Sequence, residues 1–335
     1  MNGLCKEDNT ILTTQYEIEG EMLRFYGGLM GTADTNLEGM DIVGLIISSQ
    51  LSIEEKVMLV APVNVQEIED ALKGVGYVKA HGLDGYGANF SRKTWDIVGQ
   101  DVIAAVMEFF KKGEVGKMNG TLVTLIPKRF NAKTIREYMP VFYCITTYNI
   151  ISKVLPTRMS KIMSSIMSKN QPAFVPGQKT NDHILLAYEL IIGYYRKGGV
   201  PKCMIQMDVQ KAYDYVDWQA LHVILQDMGF SRKFVSWIMK FVTTVSYKFS
   251  INAICTRKME AKRGLRQGDP ISPLLFLIIM GYLHRKLSEL DRIPDFNYHA
   301  KCEKIQVIKM SFTNDLLLFT RGDNTTWHGK ISGVF

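Results

Sequence analysis

The sequence predicts an α+β fold in which helices cover one face of a sheet. Segments typical of strands, rich in apolar and β-branched residues, occur at 121–126, 203–209 and 247–254. Longer stretches between them repeat their apolar residues with the period of a helix. Strands and helices mixed in this order indicate a sheet packed against helices. The 335 residues, 47% of them apolar, suffice for one large or two modest domains.

Helical periodicity is clearest at 94–112, where apolar side chains follow one face. Weaker helical patches lie at 53–60 and 65–72. Gly229 as a stop and Ser231 as an N-cap separate two later helices. The helices predicted after residue 112 are 145–166, interrupted or restarted at Pro156, 181–195, capped by Asn181 or Asp182, 218–228, 231–244, and one that begins at Ser272-Pro273.

The predicted strands are bounded by recognisable residues. Pro127 closes the first, Asp208 lies near the end of the second, and the third alternates in polarity. Segments 305–312 and 315–319 predict a hairpin around Asn314. The glycine-rich stretch 79–87 and the basic stretch 262–270 are predicted loops.

Composition excludes several classes of protein. The longest apolar run, 274–280, is far shorter than the roughly 20 residues that span a bilayer. The N-terminus lacks the pattern of a signal peptide. Five widely spaced cysteines without a CxxC motif indicate reduced thiols with no disulfide partner. We therefore expect an intracellular protein, nuclear or cytoplasmic, that is not bound to a membrane.

The net charge of +7 conceals an asymmetry. Residues 1–110 carry 7 Lys/Arg and 17 Asp/Glu, whereas residues 111–335 carry 33 Lys/Arg and 16 Asp/Glu. A polyanion such as nucleic acid is the natural partner of the second part. Solvated lysines without a partner are the alternative.

Two places break their local pattern in a way that suggests chemistry. Asp208 ends an apolar strand, where a buried carboxylate needs a cation or hydrogen-bond donors. Asp214 and Asp217 are alternatives as caps of the next helix, and Asp217 is favoured. The pair Asn314-Asp315 interrupts an apolar hairpin and is either a plain turn or part of a site.

The loop 262–273 combines two glycines, three basic side chains and a following helix N-terminus. Glycines allow close backbone approach, and free N–H groups with cations bind phosphates. This combination favours contact with a nucleic acid over a plain surface loop.

Six blocks in order resemble the reverse transcriptase of LINE-type, non-LTR retrotransposons, most closely the plant kind. They are DGYG at 84–87 with WDIV at 95–98, LIPK at 125–128, NQPAF at 170–174, DVQKAYD at 208–214, RGLRQGDPISP at 263–273, and FTND at 312–315. The fifth block is a near-verbatim match, and the resemblance covers residues 40–323. It implies a right-hand polymerase fold and template-directed DNA synthesis from RNA, with an RNA template, a DNA primer and dNTPs as partners.

The resemblance also implies roles for individual residues. Asp208 and Asp315 would be catalytic and ligate two Mg²⁺ ions, or Mn²⁺, with Asn314 at a degenerate catalytic position. Hard cations need oxygen ligands of this kind. No organic cofactor is implied. The implied nucleotide-binding residues are Lys128, Tyr213 as a steric gate against the ribose 2′-hydroxyl, Gln267 and Gly268; the implied nucleic-acid-binding residues are Arg263, Gly264 and Arg266.

The chain departs from the family at positions that matter for activity. Asn314 replaces the first carboxylate of the family's Ala-Asp-Asp motif, and Met139 replaces an arginine that contacts the triphosphate. Loss of one such electrostatic group costs roughly 10²–10³ in rate. Arg136 or Lys133 are candidate substitutes for the arginine. We therefore expect weak or lost activity in this copy.

The likeness ends after residue 323, which implies fingers and a partial palm without a thumb. The predicted domains are an acidic, helical extension at 1–115, fingers at 116–200 and a partial palm at 201–335. Two alternatives to an active polymerase stay open. One is an inactive remnant that binds RNA or RNA–DNA hybrid, and the other is a decayed fragment that folds poorly.

Overall fold

The structure, a computed structural model, describes residues 3–33, 50–76, 80–167, 180–192, 201–208, 211–288, 298–299, 301–302, 309–312 and 315–321. The α-helices are α1 (Gln15–Met30), α2 (Ile53–Val60), α3 (Val65–Gly74), α4 (Ala88–Lys93), α5 (Trp95–Lys112), α6 (Thr146–Ser160), α7 (Met163–Ile166), α8 (Thr180–Ile191), α9 (Trp218–Asp227), α10 (Arg232–Thr243) and α11 (Ser272–Ser288). The strands are β1 (Leu4–Cys5), β2 (Ile11–Leu12), β3 (Gly120–Pro127), β4 (Tyr138–Cys144), β5 (Lys202–Asp208), β6 (Ser246–Ile251), β7 (Ile254–Cys255), β8 (Met259–Glu260), β9 (Lys309–Phe312) and β10 (Asp315–Arg321). This mixture confirms the predicted α+β class.

Several predicted elements are confirmed, together with the residues that delimit them. Ser231 caps α10 by accepting from the N–H of Phe234, and Asp217 caps α9 by accepting from the N–H of Ala220. Gly229 after α9 has φ 79°, the left-handed conformation that glycine adopts without strain. β9 and β10 form the predicted hairpin.

Four predictions about elements are wrong. Helix α1 was not predicted, although Thr14 and Glu17 form a capping box at its start. α6 continues through Pro156 to Ser160, because burial on nearly all sides compensates for the missing N–H. Strand β4 lies in a segment for which no strand was predicted. The strand predicted at 247–254 is split by a turn whose residues have positive φ, Asn252 and Ala253.

The chain divides into two compact units, which do not follow the predicted domain boundaries. Unit 1 comprises Met1–Met40, Ser52–Met159 and Tyr213–Pro273, and unit 2 comprises Asp41–Leu51, Ser160–Ala212 and Leu274–Phe335. The assignment of fingers and palm to parts of the chain remains a prediction. Among the described residues, no helix combines the length and apolar character needed to cross a membrane.

The sheet of unit 1 has the order β4-β3-β6-β7, and β8 also pairs with β6. β3 and β4 are antiparallel, whereas β3 and β6 are parallel. Helix α1 packs on the sheet through Ile18, Met22 and Tyr26, which share one face at a spacing of four residues. Tyr26 stacks on Phe249 of β6 with 4.6 Å between ring centroids. The acidic N-terminal segment therefore supplies part of this core.

The sheet of unit 2 is antiparallel in the order β5-β10-β9 and is covered by helices on both faces. Leu316 and Leu318 of β10 pack with α11, whereas Phe319 packs with α8. The expectation of one covered face is therefore wrong for this sheet. Its physical reason is visible in the sequence, because the uninterrupted apolar run 316–319 is typical of a strand buried on both faces.

Candidate catalytic site

The two predicted metal-binding residues are direct partners in the sheet of unit 2. Asp208 ends β5, Asp315 begins β10, and the antiparallel register pairs the two residues. Directly paired positions lie on the same face of a sheet, with Cβ atoms roughly 4.5–5.5 Å apart. Asp208 is exposed, unlike the core residues Leu316 and Leu318 that follow on the partner strand. Asn314, which precedes Asp315 in the sequence, lies outside the described residues.

Two carboxylates at this position fit a magnesium ion. Mg²⁺ is usually bound by one or two carboxylates together with substrate phosphates and water, rather than by a complete protein cage. No group of three or more His, Cys, Asp or Glu side chains within the described part of the chain is arranged to hold a metal. Asp208 lies at an exposed strand end, where it is paired with Asp315, and the role of the two residues as metal ligands stays a prediction.

In unit 1 the glycine loop at 263–268 pairs through its backbone with the segment that follows the first carboxylate motif. The N–H of Leu265 donates to the carbonyl of Tyr213, and the N–H of Gly264 donates to the carbonyl of Val216, both at 2.7 Å. Gly264 has φ 95°, and a Cβ there would lie 2.9 Å from the Asp214 carbonyl oxygen. Only glycine fits this position, so its role here is close packing of the two motifs.

A buried polar network fixes the next part of the loop. The carboxylate of Asp269 accepts hydrogen bonds from the hydroxyls of Tyr148 and Ser152 on α6. It lies 3.8 Å from the guanidinium of Arg266. Arg266 donates to the Asn119 side-chain oxygen at 2.5 Å, and its guanidinium carbon lies 4.5 Å from the centre of the Tyr148 ring. Asp269 and Arg266 are 4% and 5% exposed, so solvent does not screen them.

Burial sets the protonation of the tyrosines around this network. Desolvation raises the pKa of Tyr148 well above its usual range, and the charge of Asp269 acts in the same direction. Desolvation also raises the pKa of Tyr247 to about 12. Both phenols therefore keep their protons at neutral pH, and the Tyr148 hydroxyl remains a hydrogen-bond donor to Asp269.

The network holds Arg266 away from solvent, and the two residues that follow it are more accessible. Gln267 is half-buried, and Gly268 is exposed with φ 78°. The guanidinium of Arg266 is buried against Asn119 and Tyr148, and its predicted contact with nucleic acid stays a prediction. Arg263 donates to the carbonyl of Leu29 at 2.7 Å and lies 5.0 Å from the Tyr215 ring. Its guanidinium therefore ties the loop to the end of α1.

The β3–β4 hairpin of unit 1 carries the positions expected to face a triphosphate. Lys128 is exposed directly after β3, and its ammonium group donates to the Arg136 carbonyl at 3.2 Å. Met139, on β4, is 46% exposed. The candidate substitute Arg136 pairs with Glu7 at 2.6 Å. Tyr213 is half-buried, and desolvation raises its pKa.

Comparison with known proteins decides the family. The profile of the family described as reverse transcriptase (RNA-dependent DNA polymerase) matches residues 126–332, more than half of the chain. The chain belongs to the reverse transcriptase family. The matched region includes β5, the glycine loop and the β9–β10 hairpin. The resemblance carried by the sequence blocks is thereby confirmed.

This reverse transcriptase chain is similar to proteins of transposable elements. It is 28% identical over 276 residues to the "Transposon TX1 uncharacterized 149 kDa protein" of Xenopus laevis, covering 82% of this chain and 21% of that protein. It is 26% identical over 201 residues to the Pol polyprotein of the type-1 retrotransposable element R2 of Popillia japonica, covering 60% and 27%. The Pol polyprotein of R2DM of Drosophila melanogaster is 24% identical over 195 residues, covering 58% and 17%. The chain thus spans between 17% and 27% of the length of these relatives.

The network around Asp269 was not predicted from the sequence of this reverse transcriptase. Tyr148 and Ser152 stand four residues apart in α6, which places them on one face of the helix. Polar side chains repeated on one face of a buried helix indicate an internal partner. This signal was present, but it could not show that Asp269 is the partner.

Proposed function

We propose that this chain carries out template-directed synthesis of DNA on an RNA template, as part of the reverse transcriptase of a non-LTR retrotransposon. The observation that carries the proposal is the direct pairing of Asp208 with Asp315 at the ends of neighbouring strands. Family membership supports this assignment, since the matched region, residues 126–332, includes both Asp208 and Asp315.

Asp208 and Asp315 would hold Mg²⁺ in this proposal, and Mn²⁺ is an alternative. The bound cations would stabilise the attacking and leaving oxygens of the phosphoryl transfer. Lys128 would add a positive charge beside the triphosphate. Tyr213 would exclude a ribose 2′-hydroxyl by its bulk, and Gln267 with Gly268 would contact the nascent base pair and template.

Asn314 lowers the expected rate of this copy. An amide is neutral, whereas the family's carboxylate adds a negative charge whose interaction strengthens in the transition state. Met139 removes a cation that would bind phosphate bidentately. Retained binding of RNA or RNA–DNA hybrid without synthesis is the second candidate function, favoured by the net charge of +17 in residues 111–335.

Primer extension tests the proposal. The purified chain is compared with Asn314→Asp, with Asn314→Asp/Met139→Arg and with Asp208→Asn, on an RNA template with a DNA primer, dNTPs and Mg²⁺ or Mn²⁺. We expect Asn314→Asp to raise the extension rate by roughly 10²-fold or more, because one electrostatic group costs roughly 10²–10³. Asp208→Asn should abolish extension. Extension that Asp208→Asn leaves unchanged would rule out the proposed site.

A further inference from the structure

The strongest feature outside the polymerase motifs is a groove between α9 and α10 in unit 1, which we call the α9–α10 groove. Its volume is about 390 Å³, and the residues that line it include His222 and Gln226 of α9. From α10 it is lined by Arg232, Ser236, Lys240 and Thr243, among others.

The α10 side of this groove is a continuous row of polar side chains. Arg232, Ser236, Lys240 and Thr243 follow one another at spacings of four, four and three residues, so they share one face of the helix. All four are exposed. At a rise of 1.5 Å per residue, the row is about 16 Å long.

The opposite face of α10 is anchored in the core. Phe234, Trp237, Ile238 and Phe241 are each no more than 3% exposed. The edge-to-face contact between Phe109 of α5 and Phe241 joins the helix to its neighbour, with 4.9 Å between ring centroids. The row of polar side chains therefore lies on a helix whose position is fixed by packing, and this reduces the conformational entropy lost on binding.

The charge of the surrounding chain has one sign. Residues 228–259 contain six Lys/Arg and no Asp or Glu. No carboxylate is among the described residues that line the groove. Hydroxyl and amide groups beside arginine and lysine are the side chains that bind nucleic-acid phosphates. The lining residues that the structure describes include no exposed phenylalanine, tyrosine or tryptophan that would anchor a protein partner or stack on a base.

We propose that the α9–α10 groove binds the phosphodiester backbone of nucleic acid, without preference for base sequence. The inference concerns a surface distinct from the carboxylate pair, and it does not depend on DNA synthesis. Arg232 and Lys240 each neutralise a phosphate, while Ser236 and Gln226 donate hydrogen bonds.

Site-resolved crosslinking tests the inference. The full chain is irradiated with a short oligouridylate containing 4-thiouridine, in EDTA and without dNTPs, and crosslinked peptides are identified by mass spectrometry. We expect crosslinks within residues 218–244. Arg232→Gln/Lys240→Gln should reduce them about tenfold, since two lost phosphate contacts at 0.1 M salt correspond to 1.4 logarithmic units at most.

Lys111→Gln/Lys233→Gln is the matched control. These two lysines line a separate groove on the other side of α10, so the variant loses the same charge beside the same helix. It should keep the crosslinks within about twofold. Ser236→Glu, which keeps both cations but adds a negative charge, should weaken crosslinking, whereas Ser236→Ala should not. Circular dichroism confirms that each variant is folded.

Equal losses in the two double variants would overturn the inference, because they would show only a general effect of net charge. Crosslinks confined to peptides outside 218–244 would overturn it as well, and would leave the proposed polymerase function intact. Crosslinks in 218–244 that persist when primer extension fails would support the groove independently of that function.

Discussion

At the scale of single residues, Asp269 and Arg266 show how a buried pair positions an exposed loop. Asp269 accepts hydrogen bonds from two residues of α6, and Arg266 donates to Cys144 of β4 and to Asn119 before β3. A buried charge that loses its partner is strongly destabilising, since water cannot replace the lost interaction. The network therefore restricts the backbone on which Gln267 and Gly268 are mounted.

Replacing Asp269 by alanine should lower the free energy of unfolding by roughly 3–5 kcal/mol, because Arg266 would remain buried without its carboxylate. Urea-induced unfolding measures the change. Asp101→Ala, which removes an exposed carboxylate from α5, is the control and should stay within about 0.5 kcal/mol. Similar effects of the two substitutions would show that the network does not stabilise the fold.

His284 of α11 predicts a pH dependence of stability. It is 1% exposed, and its two ring nitrogens have no hydrogen-bond partner among the described residues. Burial lowers its pKa to about 3, and the charge of Lys309 acts in the same direction. The unfolded state, with a pKa near 6.5, binds the proton more readily. The contribution of His284 to the free energy of unfolding is therefore complete above pH 6.5, and it is lost as the pH falls from 6.5 towards 3.

Between pH 7.5 and 5 this histidine should remove about 2 kcal/mol from the free energy of unfolding. His284→Leu should flatten the pH profile by that amount, as measured by urea unfolding at a series of pH values. His81→Leu, at an exposed position, is the control and should leave the profile unchanged. A profile that His284→Leu does not alter would contradict the burial of a neutral imidazole.

At the scale of elements, Arg158 of α6 connects three helices of unit 1. It is 4% exposed, pairs with Glu67 of α3 at 2.8 Å, and donates to the Ala61 carbonyl at 2.6 Å and to the Leu59 carbonyl at 3.1 Å. These carbonyls belong to the end of α2 and the residue after it, which lack partners within the helix. The Arg158 side chain thus supplies hydrogen-bond donors to the carbonyls at the end of α2 and to a carboxylate in the first turn of α3.

Substituting Arg158 by methionine should lower the free energy of unfolding by about 3 kcal/mol, because Glu67 and the carbonyls lose their donors while the apolar volume is kept. Arg129→Met is the matched control. Arg129 pairs with Glu137 on an exposed surface, where an ion pair contributes about 0–1 kcal/mol. Thermal unfolding should therefore give a clearly lower Tm for Arg158→Met than for Arg129→Met. Equal Tm values would contradict the structural role of Arg158.

At the scale of the whole molecule, the reactivity of the cysteine thiols measures how well each of the two units is packed. The five cysteines all lie within the described residues, and none of them forms a disulfide. Cys255 is exposed and Cys144 is buried, whereas Cys302 is buried and desolvation raises its pKa to about 11. Thiol reagents attack the thiolate, so exposure and pKa set the order of reaction.

We expect Cys255 to react with a colorimetric thiol reagent first, and Cys144 and Cys302 to react only on unfolding. Mass spectrometry of partly labelled chains gives the order. Cys255→Ser should remove the fast phase and leave the slow one, and denaturant should expose all five thiols. Labelling of Cys144 as fast as Cys255 would contradict the packing of unit 1.

The local chemistry of the sequence predicted most of the later elements. α9 and α10 were predicted from Asp217, Ser231 and Gly229, since caps and stops act within one helical turn. Helix α1 was missed because its apolar period is weak and its partners on the sheet lie more than 90 residues away in the sequence. Strand β4 was missed because it contains Pro140, a residue that is rare inside strands, and because its pairing with β3 depends on a separate segment of the chain.

The sequence by itself determined the family and the acidic and basic parts of the chain. These are properties of residue type and order, which need no partner in space. Only the tertiary structure decided that residues 208 and 315 are paired, that Arg266 is internal, and that α9 and α10 form a cationic groove. Each of these three features depends on which segments, distant in the sequence, come into contact. Burial also changes the free energy of a charged group, and a local sequence pattern does not reveal burial.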